Sequence, residues 1–127
     1  MRLALDTNGY RAAADGDTRT AELLRRADEI WLPYVVLGEL RAGFALGTVG
    51  KKNEAKLTEF LNSPRVRALF ADEQTTHHYA VLFAQLRRQG SPIPTNDIWI
   101  AALTVQHDLL LLTNDEHFSK IPQIVRV

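Results

Sequence analysis

The chain has 127 residues, 46% apolar and 24% charged, with 15 basic side chains, 15 acidic ones and no cysteine. That length is expected to make a single domain over residues 1–127 with a core large enough to need no staples, and the missing cysteine excludes disulfides, thiolate zinc centres and cysteine nucleophiles. A net charge of zero excludes a polycation that coats nucleic acid through a broad basic field, so any nucleic acid must be gripped locally.

Leu3-Ala4-Leu5 is a short unbroken apolar run of the kind found in a strand buried on both faces. Asp6-Thr7-Asn8-Gly9 reads as the turn leaving that strand, and residues 11–15 are small and polar. Asp17-Thr18 offers a cap for a helix to about Ala27, with Ala21, Leu23, Leu24 and Ala27 as its apolar side. Residues 29–32 form a second strand, closed by Pro33. The spacing of Val36, Leu37, Leu40 and Phe44 predicts a helix over 34–46 with Glu39 beside its core stripe. An amphipathic helix follows over 51–61 and breaks at Asn62-Ser63-Pro64. Residues 66–71 read as a third strand and 75–89 as a long helix stopped by Gly90. Its neighbours His77 and His78 cannot face the same way on a helix and read as surface residues. After a rigid loop over 91–95, Asn96-Asp97 opens a helix through Leu103 that is apolar nearly all round, hence buried. Residues 109–112 are another buried strand, ended by Thr113-Asn114-Asp115. His117-Phe118 begins a short turn, and 124–127 reads as a last strand.

Strands alternating with helices predict an α/β fold with a parallel sheet between helical layers. Asp6 and Asp115 each follow a buried strand directly, so both emerge at the carboxyl edge, where such sheets bind ligands. Glu39, about two turns into a helix that follows a strand, can lean toward the same edge. The proline-rich loop before Asp97 leaves its direction open. Singly, each acid has a plain structural reading: Asp6 and Asp115 as turn braces, Asp97 as complement to its helix dipole, Glu39 as partner of Arg41 or Arg11. Gathered at one edge, they repel one another and raise each other's pKa. A divalent cation relieves that repulsion, and an all-oxygen ligand set suits Mg²⁺ or Mn²⁺.

Four pieces in register, Leu5-Asp6-Thr7-Asn8, then Gly38 through Phe44, then Asn96-Asp97-Ile98-Trp99-Ile100-Ala101-Ala102, and last Leu112-Thr113-Asn114-Asp115 with Phe118, resemble a PIN-domain ribonuclease of the VapC toxin type along nearly the whole chain. Gly9-Tyr10 departs from the apolar residues usual after the first piece. The resemblance implies a three-layer α/β/α PIN-like fold with four to five parallel strands and an acidic pocket for Mg²⁺ or Mn²⁺. It further implies that Asp6, Glu39, Asp97 and Asp115 are the catalytic and metal-binding acids, with Thr7, Asn8 and Thr113 orienting them. An endoribonuclease that hydrolyses RNA phosphodiester bonds, silenced by a cognate antitoxin and forming a homodimer, follows from the same resemblance. So does an antitoxin that lays a helical peptide over an apolar groove. Arg11, Arg41, Arg87 and Arg88 are candidates for gripping phosphate, while His107 and His117 read as scaffold or surface.

Asp6 comes too early in the chain for a signal peptide, and no apolar run is long enough to span a membrane, so a cytoplasmic protein with no membrane partner is expected. Three other functions compete with the nuclease. A degenerate PIN fold would only bind a partner, but the acid set is complete. A receiver domain would need paired acids after the first strand and a phosphate-accepting Asp after the third; Asp6 stands alone, and Asp72 has no matching set. A dehalogenase-type phosphatase would need an acid two positions past Asp6, where Asn8 stands.

Overall fold

The computed structural model describes all residues from Met1 to Val127, and strand β1, Arg2–Leu5, runs through its centre. β1 pairs in parallel with β2, Glu29–Pro33, on one side and with β4, Leu110–Leu112, on the other. β3, Val66–Leu69, pairs in parallel with β2, which gives the order β3-β2-β1-β4. Leu3, Ala4 and Leu5 are wholly buried, as an unbroken apolar run covered on both faces requires.

Six helices flank the sheet: α1 Thr7–Ala14, α2 Thr18–Arg26, α3 Tyr34–Leu46, α4 Gly50–Leu61, α5 Glu73–Arg88 and α6 Thr95–Gln106. A short 3₁₀ helix, Glu116–Lys120, follows β4. The buried side of α6 comprises Ile98, Ile100, Ala101, Ala102, Leu103 and Thr104, in keeping with its nearly uniform apolar sequence. No helix is long and apolar enough to cross a membrane.

Two elements differ from the sequence reading. The expected turn at residues 6–9 and the small polar stretch after it form α1 instead. Asp6 caps this helix by accepting a hydrogen bond from the Gly9 backbone at 2.7 Å, a strong start signal. The periodicity is hard to see because only Gly9 and Tyr10 are buried on α1; Tyr10 packs edge-on against Phe60 of α4, ring centroids 5.4 Å apart. The last strand is reduced to one bridge, Leu111 to Arg126. Two hydrogen bonds hold it, Leu111 N–H to the Val125 carbonyl and Val127 N–H to the Leu111 carbonyl, alongside a β4 of only three residues.

Gly9 is where α1 meets the sheet. A Cβ there would sit 2.6 Å from the Leu112 carbonyl oxygen and 3.0 Å from Asp6 Oδ1. Gly9 therefore marks a close backbone approach that a side chain would block. Gly9→Ala is expected to cost about 1–3 kcal/mol in urea denaturation, the range for overpacking. Unchanged stability would show that α1 does not press on the end of β4.

Candidate functional site

Parallel register assembles the first half of the site. Leu5 of β1 is paired with Leu112 of β4, so the next residues, Asp6 and Thr113, emerge side by side at the carboxyl edge. The Thr113 hydroxyl donates to Asp6 Oδ2, while Gly9 N–H donates to Oδ1. Both carboxylate oxygens are thereby fixed, and Asp6 is 4% exposed. The same Thr113 oxygen accepts from the Asp115 backbone at 2.9 Å, which locks the segment after β4 against the end of β1.

The second half comes from three helices. Asp115 caps the 3₁₀ helix, its Oδ1 accepting from His117 N–H at 2.9 Å. His117 Nδ1 then lies 2.8 Å from Asp97 Oδ2, in the first turn of α6, and 3.3 Å from Asp115 Oδ1. Glu39 on α3 accepts from the Thr7 hydroxyl of α1 at 2.8 Å. These groups surround a pocket of about 410 Å³ lined by Asp6, Thr7, Asn8, Arg11, Glu39, Ala42, Asp97, Ile100 and Asp115.

All four sequence-predicted acids therefore face one pocket, including Asp97, whose direction the sequence left open. Thr7 and Thr113 each hold one of them, and Asn8 lines the pocket from its exposed side. Among the four candidate arginines, only Arg11 lines it. Arg41 pairs with Glu54 at 3.0 Å and the Arg87 guanidinium lies over the Phe83 ring. Arg88 is exposed in the last turn of α5. His107 is away from the site, its carbonyl held by Arg2. His117, read from sequence as scaffold or surface, instead touches two of the acids. The missed signal was its place two residues past a strand-ending acid, where a capping turn brings the ring back over that acid.

Charge in this pocket is costly. Burial is the main reason the Asp6 carboxyl is pushed above its ordinary range; Asp115 and Asp97 add repulsion, and the bonds from Thr113 and Gly9 pull the other way. Asp97 is likewise raised, first by burial and then by Asp115 and Glu39, against the favourable contact with His117. A divalent cation fits this donor set: carboxylate oxygens of Asp97 and Asp115 and a ring nitrogen of His117 lie within 4.8 Å of one another. A single arginine is the only cation among the residues lining the pocket, too little to neutralise four carboxylates.

Comparison with known proteins identifies the family and the fold. The sequence model of the PIN domain matches residues 3–124. The chain is 32% identical over 90 residues to ribonuclease VapC4 of Mycobacterium tuberculosis, covering 71% of this chain and 69% of that protein. It is 29% identical over 130 residues to ribonuclease VapC2 of Rickettsia felis, covering 98% and 96%. Among solved structures, VapBC2 from Rickettsia felis bound to a DNA fragment from its promoter superposes with a TM-score of 0.86 at 28% identity, covering 100% of this chain and 98% of that one.

A carboxyl whose pKa is raised by folding holds its proton more tightly folded than unfolded. Its contribution to stability is present at acid pH and is lost as pH rises through the raised value. Asp97→Asn removes that loss. In chelator at neutral pH, the variant is expected to melt at or above the temperature of the unaltered protein, the gap closing on acidification. Thermal melts across pH check this; a clearly lower melting point at neutral pH would contradict strain from burial and mutual repulsion.

Proposed function

This chain belongs to the PIN-domain family and, within it, to the VapC-type ribonucleases, and on that premise we propose that it is a toxin endoribonuclease whose acidic pocket hydrolyses RNA phosphodiester bonds. The observation that carries this reading is the convergence of Asp6, Glu39, Asp97 and Asp115, drawn from four separate segments, on one pocket. We read residues 1–127 as one domain of this kind.

Asp6, Asp97, Asp115 and Glu39 are the residues we assign to hold Mg²⁺ or Mn²⁺, both suited to carboxylate oxygens. A divalent cation held there supplies positive charge for the phosphoryl oxygens and leaving group and lowers the pKa of water. The protein's own part is positioning. Thr113 and Gly9 orient the Asp6 carboxylate, Thr7 orients Glu39, and Asn8 lies beside them at the rim. The buried Ile100 at its floor lowers the local dielectric, which strengthens the charge interactions beside it. Arg11 is placed to pair with a phosphate at the mouth. The pocket otherwise repels RNA, so substrate binding depends on the cation.

The partner we assign is an antitoxin protein, since solved structures similar to this chain include VapBC complexes. The surface we assign to its helix is the largely apolar groove of about 540 Å³ between α1, α2 and α4, lined by Tyr10, Ala13, Ala14, Ala21, Leu24 and Phe60 among others. Because α1 also carries Arg11 and Thr7, a chain lying in that groove can reach the acidic pocket. A cytoplasmic homodimer completes this reading.

A receiver domain has no counterpart at β3. Asp72 caps α5, accepting from Thr75 N–H at 3.1 Å and from Gln106 at 2.9 Å. It lies just past β3, at the far edge of the sheet from β4.

Purified Asp6→Asn and Asp97→Asn proteins are expected to fold and to lose cation-dependent RNA cleavage by about 100-fold or more, since the charge stabilisation is worth several kcal/mol. Either variant cleaving at the unaltered rate would refute the assignment. Separately, Mg²⁺ or Mn²⁺ at millimolar level is expected to raise the melting temperature of the unaltered protein, because only the folded pocket binds it. The absence of any shift would count against a preformed site.

A further inference from the structure

The tightest set of metal-ligating atoms in the molecule is not made of carboxylates alone. It combines Asp97, Asp115 and the ring of His117, one donor atom from each lying within 4.8 Å of the others. Resting on the acidic-site reading above, we propose that His117 Nδ1 is a direct nitrogen ligand of the divalent cation, giving a mixed oxygen–nitrogen site that favours Mn²⁺ over Mg²⁺.

Position comes first. Nδ1 lies 2.8 Å from Asp97 Oδ2 and 3.3 Å from Asp115 Oδ1, so the ring edge sits between the two carboxylates rather than behind either one. A residue that only orients an acid sits behind it, on the side away from the ion. The ring is held there by its own backbone. His117 N–H donates to Asp115 Oδ1, the 3₁₀ helix begins at Glu116, and the adjacent Phe118 is anchored in the core at 1% exposure. Nε2 makes no hydrogen bond to the protein, and the side chain is 42% exposed. Without a cation Nδ1 is placed to donate to Asp97 Oδ2; because Nε2 faces water, the ring can shift that proton outward when a cation takes its place and so free the Nδ1 lone pair.

The chemistry then sets the choice of ion. Mg²⁺ is hard, demands near-ideal octahedral oxygen coordination and gives up its waters reluctantly. Imidazole is a ligand of the first-row transition metals rather than of Mg²⁺; Mn²⁺ stands lowest among them and keeps a preference for oxygen, so one nitrogen adds a modest bias toward Mn²⁺. Carboxylates alone bind either ion. The nitrogen is what separates them, so removing it lowers Mn²⁺ affinity more than Mg²⁺ affinity.

The test compares the unaltered chain with His117→Asn and His117→Ala, each checked for folding by circular dichroism. Asparagine keeps a hydrogen-bonding group near the Nδ1 position and lacks the imidazole lone pair, so it separates ligation from mere orientation of Asp97. Mn²⁺ and Mg²⁺ are titrated by calorimetry, and the Mn²⁺-loaded proteins are examined by pulsed electron paramagnetic resonance for nitrogen coupling. The expected result is a nitrogen signal in the unaltered protein that both variants lose, with Mn²⁺ affinity falling more than Mg²⁺ affinity. A missing nitrogen signal in the unaltered protein would overturn the proposal, as would equal losses for the two ions or a His117→Asn protein that binds Mn²⁺ normally. Each of these would leave the acidic-site reading intact. Binding of neither ion to the unaltered protein would overturn both.

Discussion

Like charges do not gather unless something holds them, and here a relay of hydrogen bonds does. Thr113 donates to Asp6 and accepts from Asp115, Asp115 accepts from His117, and His117 meets Asp97. Three segments far apart in sequence, the ends of β1 and β4 and the start of α6, are tied through this one path. Its anchor is the parallel pairing of Leu5 with Leu112, which sets Asp6 beside Thr113. A shift of register by one residue would separate them and turn every side chain of the strand to the opposite face. A slip would also draw a polar residue bounding β1, Arg2 or Asp6, into the buried run, and that cost fixes the register and with it the site.

The same relay explains the electrostatics. Desolvation and mutual repulsion raise the Asp6 and Asp97 carboxyls, and local hydrogen bonds offset only part of that. The pocket is therefore poised for a cation before any substrate arrives. That resolves an apparent conflict in the composition. A chain with no net charge and an acidic pocket is a poor place for RNA by itself. A bound divalent ion offsets much of that negative charge, so in the proposed reading substrate binding and chemistry depend on the same event.

Much of this was legible in the sequence. Unbroken apolar runs marked β1 and β4 as buried parallel strands, and the acids that follow them, Asp6 at once and Asp115 three residues past Leu112, had to share an edge. The fully apolar α6 announced its burial. Other features depended on tertiary contacts that periodicity does not carry. α1 was hidden because it buries little besides Gly9 and Tyr10, and its start signal, Asp6, also served as a turn residue. The direction of Asp97 was set by the packing of α6 beneath the 3₁₀ helix rather than by its own neighbours. His117 was missed for a related reason: its proximity to Asp97 spans 20 positions, and only the capping geometry of Asp115 brings it there. The fifth strand is a single bridge beside a β4 of only three residues.

The account stands on the acids forming one cation site. Its most direct test is a crystal of the protein grown or soaked with Mn²⁺, read by anomalous scattering. The account predicts a single strong peak in the pocket between Asp6, Asp97 and Asp115, within ligand reach of their carboxylates. Peaks found only at lattice contacts, with the pocket empty at saturating Mn²⁺, would contradict it.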